Sequence, residues 1–231
     1  MQALHIFLFQ KAEEAEESIS VFKLLYKDGS FGDLLGLAIV TILLLLSLLA
    51  LAIFLERYFT IKKAGRIDQS FINQIRGAVA AGNIQGARNI CQNTNSPYSR
   101  MVEKGLQRIG KPLRDIDTAI ENVGNLEIFA LEKRLSTLAS IAGAAPMIGF
   151  FGTVTGMILA FYKMSSENNV TPDVLAGGIY QALFTTAGGL FIGIFAFVGY
   201  NLLVANVDKV VYQMEQTAVE FMDLLQEPSS I

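Results

Sequence analysis

The chain has 231 residues, 52% of them hydrophobic and 17% charged, with a formal net charge of −3 that offers no basic stripe for nucleic acid. A single cysteine, Cys91, and a single histidine, His5, exclude an internal disulfide and a Cys- or His-based metal centre, so neither metal nor cofactor is expected. Three charge-free runs, each long enough to cross a hydrocarbon core of about 30 Å, place the chain in the membrane class.

Residues 1–33 read as an exported N-terminal segment. Leu4–Phe9 is apolar but lacks a basic flank and is too short for the usual secretory signal. The acidic stretch Lys11–Glu17, followed by Ile19, Phe22, Leu25 and Tyr26, predicts an amphipathic helix at the outer interface. The first run, between Asp33 and Glu56, predicts a transmembrane helix over 34–55. It is apolar all round, which suits a lipid-facing rim, and Phe54, Tyr58 and Phe59 supply aromatic anchors at one end.

Residues 56–134 have the composition of a water-exposed helical domain. Asp68 is placed to cap a helix that Gly82 closes, Asn83 to cap a second running to about Asn93, and Ser96-Pro97 to open a third that ends near Gly110. Beyond Pro112, the apolar positions Leu113, Ile116, Ile120, Val123, Leu131, Leu135 and Leu138 step along in threes and fours. That stripe predicts a helix running without a stop into the second span.

The second span, 135–162, reads LSTLASIAGAAPMIGFFGTVTGMILAFY and is built unlike a lipid-facing helix. Ala145, Gly149, Gly152, Gly156 and Ala160 line small residues along one side, where another backbone can approach closely, and Pro146 interrupts the hydrogen-bond ladder. A short loop, 163–173, leads to the third span, 174–207. Here Gly177, Gly178, Ala182, Gly188, Gly189 and Gly193 repeat the small-residue habit. Residues 208–231 form a C-terminal helix and tail, because Val207, Val210, Val211, Met214, Ala218, Phe221, Met222 and Leu225 continue one apolar stripe until Pro228. The predicted fold is therefore an all-α membrane protein of three transmembrane helices, with spans two and three extended into a helical bundle outside the bilayer.

Orientation follows from basic residues in short flanks: Arg57, Lys62, Lys63 and Arg66 after the first span, Lys133 and Arg134 before the second, and Lys209 after the third, against Lys163 alone in the loop. The N-terminus and the 163–173 loop are expected outside the cytoplasm. The domain over 56–134 and the C-terminus are expected within it.

The spans contain no Asp, Glu, Lys, Arg or His, so a titratable relay cannot be made from this chain alone. No nucleophile with a base and no phosphate loop is present, and an enzyme is not expected. The polar candidates are Thr153, Thr185, Thr186 and Gln181. Threonine hydroxyls often bond back to their own helix, whereas the Gln181 amide needs more partners than one helix supplies. The chain is either a packing scaffold or a polar-lined path whose ionisable group comes from another subunit.

LEKRLSTLASIAGAAPMIGFFGTVTGMILAF and GGIYQALFTTAGGLFIGIFAFVGYN resemble the second- and third-span patterns of the MotA/TolQ/ExbB proton-channel family, and most closely its ExbB branch. A looser likeness covers ALAIFLERYFTIKKA and GNIQGARNIC. The resemblance implies a pentameric homo-oligomeric ring in a bacterial inner membrane, with a periplasmic N-terminus and a cytoplasmic C-terminus. Spans two and three would enclose a pore holding an ExbD-type single-span partner that carries the titratable Asp. Proton flow would then do work on a TonB-type protein for outer-membrane transport; a TolQ-like stator of another envelope machine and a non-conducting membrane scaffold are the alternatives. By the same resemblance the ion path falls on Thr153 and Thr186, with Gln181 where many members carry Glu. Pro146, Gly149, Gly152, Gly156, Gly189 and Gly193 are expected to set helix packing and pore shape.

Overall fold

The computed structural model describes residues 31–65, 69–166 and 172–226. The expected amphipathic N-terminal helix, His5, the Asp68 cap, residues 167–171 of the 163–173 loop and Pro228 lie outside these residues. Among the described residues there are seven helices and no strand: α1 (Phe31–Ala64), α2 (Gln69–Ala80), α3 (Ile84–Thr94), α4 (Pro97–Leu106), α5 (Leu113–Glu132), α6 (Leu135–Ser166) and α7 (Pro172–Gln226). Three stretches are long and apolar enough to cross a membrane, and they lie in α1, in α5 with α6, and in α7. The described part of the chain is thus all-helical with three candidate membrane spans.

Two compact units share these helices. Among the described residues, the first comprises those to Leu51 and those between Ala139 and Phe197; the second comprises those between Ala52 and Leu138 and those from Val198 onward.

In the first unit, α1 buries one stripe, Ile39, Leu43 and Ala50, while Leu34, Leu44, Leu45 and Leu48 are exposed. A helix apolar all round has no polar side to turn outward, so the buried stripe is chosen by fit and not by hydropathy. Thr41 gives its hydroxyl hydrogen to the Leu37 carbonyl at 2.8 Å and so satisfies itself. The rest of the unit is α6 laid antiparallel along α7.

In the second unit, short-range signals set the helix ends. Asn83 accepts the Gly86 amide at 2.8 Å to start α3, and Asn95, at φ 39°, ends it. Ser96 and Ser99 form a reciprocal capping box with Pro97 at the first position of α4. Gly82 and Gly110 adopt φ of 72° and 94°, a region where glycine has no steric cost, and α4 itself stops at Leu106 with turns continuing to Gly110.

The core of this unit joins Phe71, Ile75, Tyr98, Met101, Val102, Ile116 and Ile120 to the α7 stripe Leu203, Val207, Val210, Met214 and Phe221. Burying each such side chain contributes about 1.5–3 kcal/mol. Phe71 meets Tyr98 edge-on at 5.3 Å, and the Phe221 ring occupies the space that a side chain at Gly105 would need. Arg100 holds α4 to α5 through two 2.5 Å hydrogen bonds to the Glu127 carboxylate, and this pairing raises the guanidinium pKa further above its ordinary value.

One expectation is corrected. The apolar stripe over Leu113–Leu138 does not form a continuous helix: α5 ends at Glu132, and α6 starts at Leu135. Lys133 takes ψ 132° and Arg134 takes φ 68°, which turns the Arg134 amide away from the helix axis. The α5 carbonyl at Ala130 accepts instead from Arg57 Nη1 at 3.2 Å.

Candidate functional site

The α6–α7 contact in the first unit is a seam of small residues. A Cβ added to Gly149 would lie 2.8 Å from the Thr185 carbonyl and 3.1 Å from the Gly189 Cα, and one on Gly189 would lie 2.6 Å from the Ala145 carbonyl. One turn toward the loop, Gly152 receives the Thr185 side chain, and further along Gly156 faces Ala182 while Gly178 faces Ala160. In the other direction, Gly193 faces the Pro146 ring. Pro146 leaves the Ala142 carbonyl without its helical donor, and that carbonyl lies on the Gly193 side, 3.1 Å from where a Cβ would stand. At Gly149 and Gly189 only backbone fits, so there the two helices approach as closely as van der Waals contact permits.

This approach brings Thr153 and Thr186 together. Their hydroxyls contact each other directly. Thr153 Oγ1 also lies 3.2 Å from the Ala182 carbonyl, and Thr186 Oγ1 lies 3.1 Å from the Gly149 carbonyl. Each hydroxyl has one hydrogen to give and two lone pairs. The pair can therefore point its hydrogens into the two backbones or along the line between the oxygens, and rotation about one Cβ–O bond exchanges these patterns. Both threonines are half-buried, so the pair also reaches the edge of the seam.

Of the other polar candidates, Thr185 shares the Ala182 carbonyl with Thr153, and Gln181 turns to α1. Thr185 is buried and gives its hydrogen to the Ala182 carbonyl at 2.9 Å, in the self-satisfied state expected of a lone threonine. Thr155 likewise bonds back to Phe151 at 3.0 Å. Gln181 lies five residues before Thr186, about 140° away around α7. Its amide fills the space over Gly36 of α1, where any side chain would displace it. Gly36 is a candidate site residue that sequence reasoning did not single out. Its only signal was a glycine in an otherwise Leu/Ile-rich run.

A second group, in the other unit, was also missed. Glu56 accepts from both Arg57 and Arg134, while Arg57 reaches Ala130. Nothing local in the sequence joins residues 73 positions apart. Cys91 is buried in the short-helix domain, and burial pushes its thiol pKa up to about 12.

Residues 93–216, which contain the whole seam, match the family model described as MotA/TolQ/ExbB proton channel family. The chain is 41% identical over 99 residues to the Tol-Pal system protein TolQ of Haemophilus influenzae, covering 43% of this chain and 42% of the relative. It is 30% identical over 166 residues to an ExbB homolog of Methanothermobacter thermautotrophicus, covering 70% and 57% respectively. Identity to the biopolymer transport protein ExbB of Neisseria meningitidis serogroup A is 25% over 186 residues, 74% of this chain and 83% of that one. The match to the first two spans about half of those relatives' length. With a family model covering more than half of its residues, the chain belongs to the MotA/TolQ/ExbB proton channel family.

Proposed function

We propose that the protein is the ring-forming stator of an ion-driven motor in a bacterial inner membrane, energising a TonB-type protein through an ExbD-type single-span partner that carries the titratable Asp. The ring is a pentamer, with α6 and α7 around its pore. The observation that carries this reading is the contact of the Thr153 and Thr186 hydroxyls inside the family-matched segment. A partner carboxylate that gains and loses a proton at mid-membrane needs a neighbouring group that can both donate and accept, and a rotatable hydroxyl pair does both. Gln181, seated on Gly36, supports α7 without titrating. The basic flanks orient the N-terminus toward the periplasm and the C-terminus toward the cytoplasm.

The 41% identity to TolQ supports a second reading, in which the same stator serves a Tol-Pal type machine. Complementation separates the two. The gene, supplied with its neighbouring single-span partner, is expressed in one strain lacking its ExbB-type subunit and in another lacking TolQ. Restored proton-motive-force-dependent uptake in the first strain is the expected result. Restored outer-membrane integrity in the second alone would transfer the protein to the Tol-Pal reading. Failure of both, with the protein inserted and assembled, would leave the scaffold reading.

A further inference from the structure

At the α5–α6 break the Ala130 carbonyl meets a donor distant in sequence, and the same arginine is tied through Glu56 to Arg134. In a continuous helix the Ala130 carbonyl would accept the Arg134 amide, four residues on. Instead Lys133 and Arg134 leave helical geometry, and the carbonyl is taken by Arg57 Nη1 at 3.2 Å. Arg57 occupies the middle of the α1 stripe Ile53, Arg57, Ile61 and is only 7% exposed. A cation in an apolar stripe is costly unless its donors are used. Here Nη2 is used by Glu56 at 2.9 Å, and Glu56 also binds Arg134, so one carboxylate ties the buried arginine to the residue at positive φ. The Arg57 Nε hydrogen is buried without a partner among the described residues. The open arrangement therefore carries two costs, an orphaned donor and a non-glycine residue in the left-handed region.

We infer that Arg57 is a positioning residue that keeps α5 and α6 apart by binding the Ala130 carbonyl and, through Glu56, tying Arg134 at positive φ, and that its withdrawal lets the two helices fuse through an Arg134-to-Ala130 hydrogen bond. The break is thereby a two-state joint, set from the end of the first span. The residues that form it, Glu56, Arg57, Ala130 and Arg134, lie within the second unit, and it does not depend on which machine the protein drives, so its test uses no transport assay.

The test is hydrogen exchange at the Lys133 and Arg134 amides of the full-length protein in nanodiscs, read residue by residue by mass spectrometry with electron-transfer fragmentation. If Arg57 were a passive cap, removing it would loosen the region and speed exchange. Fusion predicts the opposite sign. Arg57→Met should slow exchange of the Arg134 amide at least tenfold, and adding Arg134→Gly should restore fast exchange, because glycine takes positive φ freely and disfavours helix. Unchanged or faster exchange in Arg57→Met would overturn the inference. Should that variant not fold, Glu56→Gln decides the matter: it keeps the side-chain shape and weakens both ties, so slower exchange sustains the joint and unchanged or faster exchange sinks it.

Discussion

Thr153 and Thr186 are chemically ordinary, and the proposed function rests on their position. Removing either hydroxyl costs little stability, about 1 kcal/mol or less, because the backbone carbonyls they touch keep their helical partners. Thr153→Val and Thr186→Val should therefore insert and assemble normally while the double variant loses proton-motive-force-dependent work. Transport equal to the unmodified protein, measured with the partner present, would reduce the pair to packing. Thr185→Val is the matched control, since among the described residues the Thr185 hydroxyl donates within α7 and the change should be tolerated. Cys91 carries the second residue-scale prediction. With its pKa raised from 9.0 to about 12, the thiolate fraction near neutral pH falls by about three orders of magnitude. An impermeant maleimide should leave Cys91 unlabelled from either side of the membrane, so labelling of Cys91 reports burial and not orientation. Asn93, exposed on α3, provides the orientation test. Asn93→Cys should label only after the inner membrane is opened, and labelling in cells with just the outer layer permeabilised would reverse the assigned topology.

At the scale of elements, the seam between α6 and α7 makes neighbouring glycines unequal. Gly189 meets backbone on α6, whereas Gly188 has open space around it. Gly189→Val should force the helices apart and destabilise them by about 1–3 kcal/mol, and Gly188→Ala should be silent. Thermal unfolding in a mild detergent reads both, and equal melting of the two variants would contradict the seam. This asymmetry was only partly legible in the sequence. Small residues three and four apart marked the right side of each helix, because close backbone approach leaves no other choice of residue type. The partner of each glycine depended on a register that spacing alone does not supply. Helix ends at Gly82, Asn83 and Ser96-Pro97 were readable because each is decided within four residues. The stop at Lys133–Arg134 was not, since the stripe from Leu113 to Leu138 continues across it and the group that satisfies the freed carbonyl sits 73 residues away. Gly36 was hidden for the same reason: its role exists only once Gln181 is folded over it.

For the molecule as a whole, the decisive feature is apolar surface where hydropathy alone would not place it. In the first unit, Met147, Phe150, Phe191 and Ile194 are exposed, which lipid or another subunit can cover equally well. In the second unit, α5 exposes Leu126 (69%) and Phe129 (74%), and α7 exposes Tyr212 (68%) and Val219 (60%). These residues belong to the part expected to face the cytoplasm, where water makes large apolar neighbours such as Leu126 and Phe129, one turn apart on α5, unfavourable and points to burial against another chain. A closed ring covers such a surface on every copy, because a heterologous contact that closes leaves no copy with an open face. Native mass spectrometry in a mild detergent should find several identical chains, five by the proposed function. Leu126→Glu with Phe129→Glu should shift that population toward monomers, since a charge buried in the contact costs far more than the apolar contact contributes. Insertion and helix content should be unchanged, because both side chains already lie on the surface of the single chain. An unaltered ring in the double variant would place the subunit contact elsewhere, and a monomeric unmodified protein would remove the pore between subunits altogether.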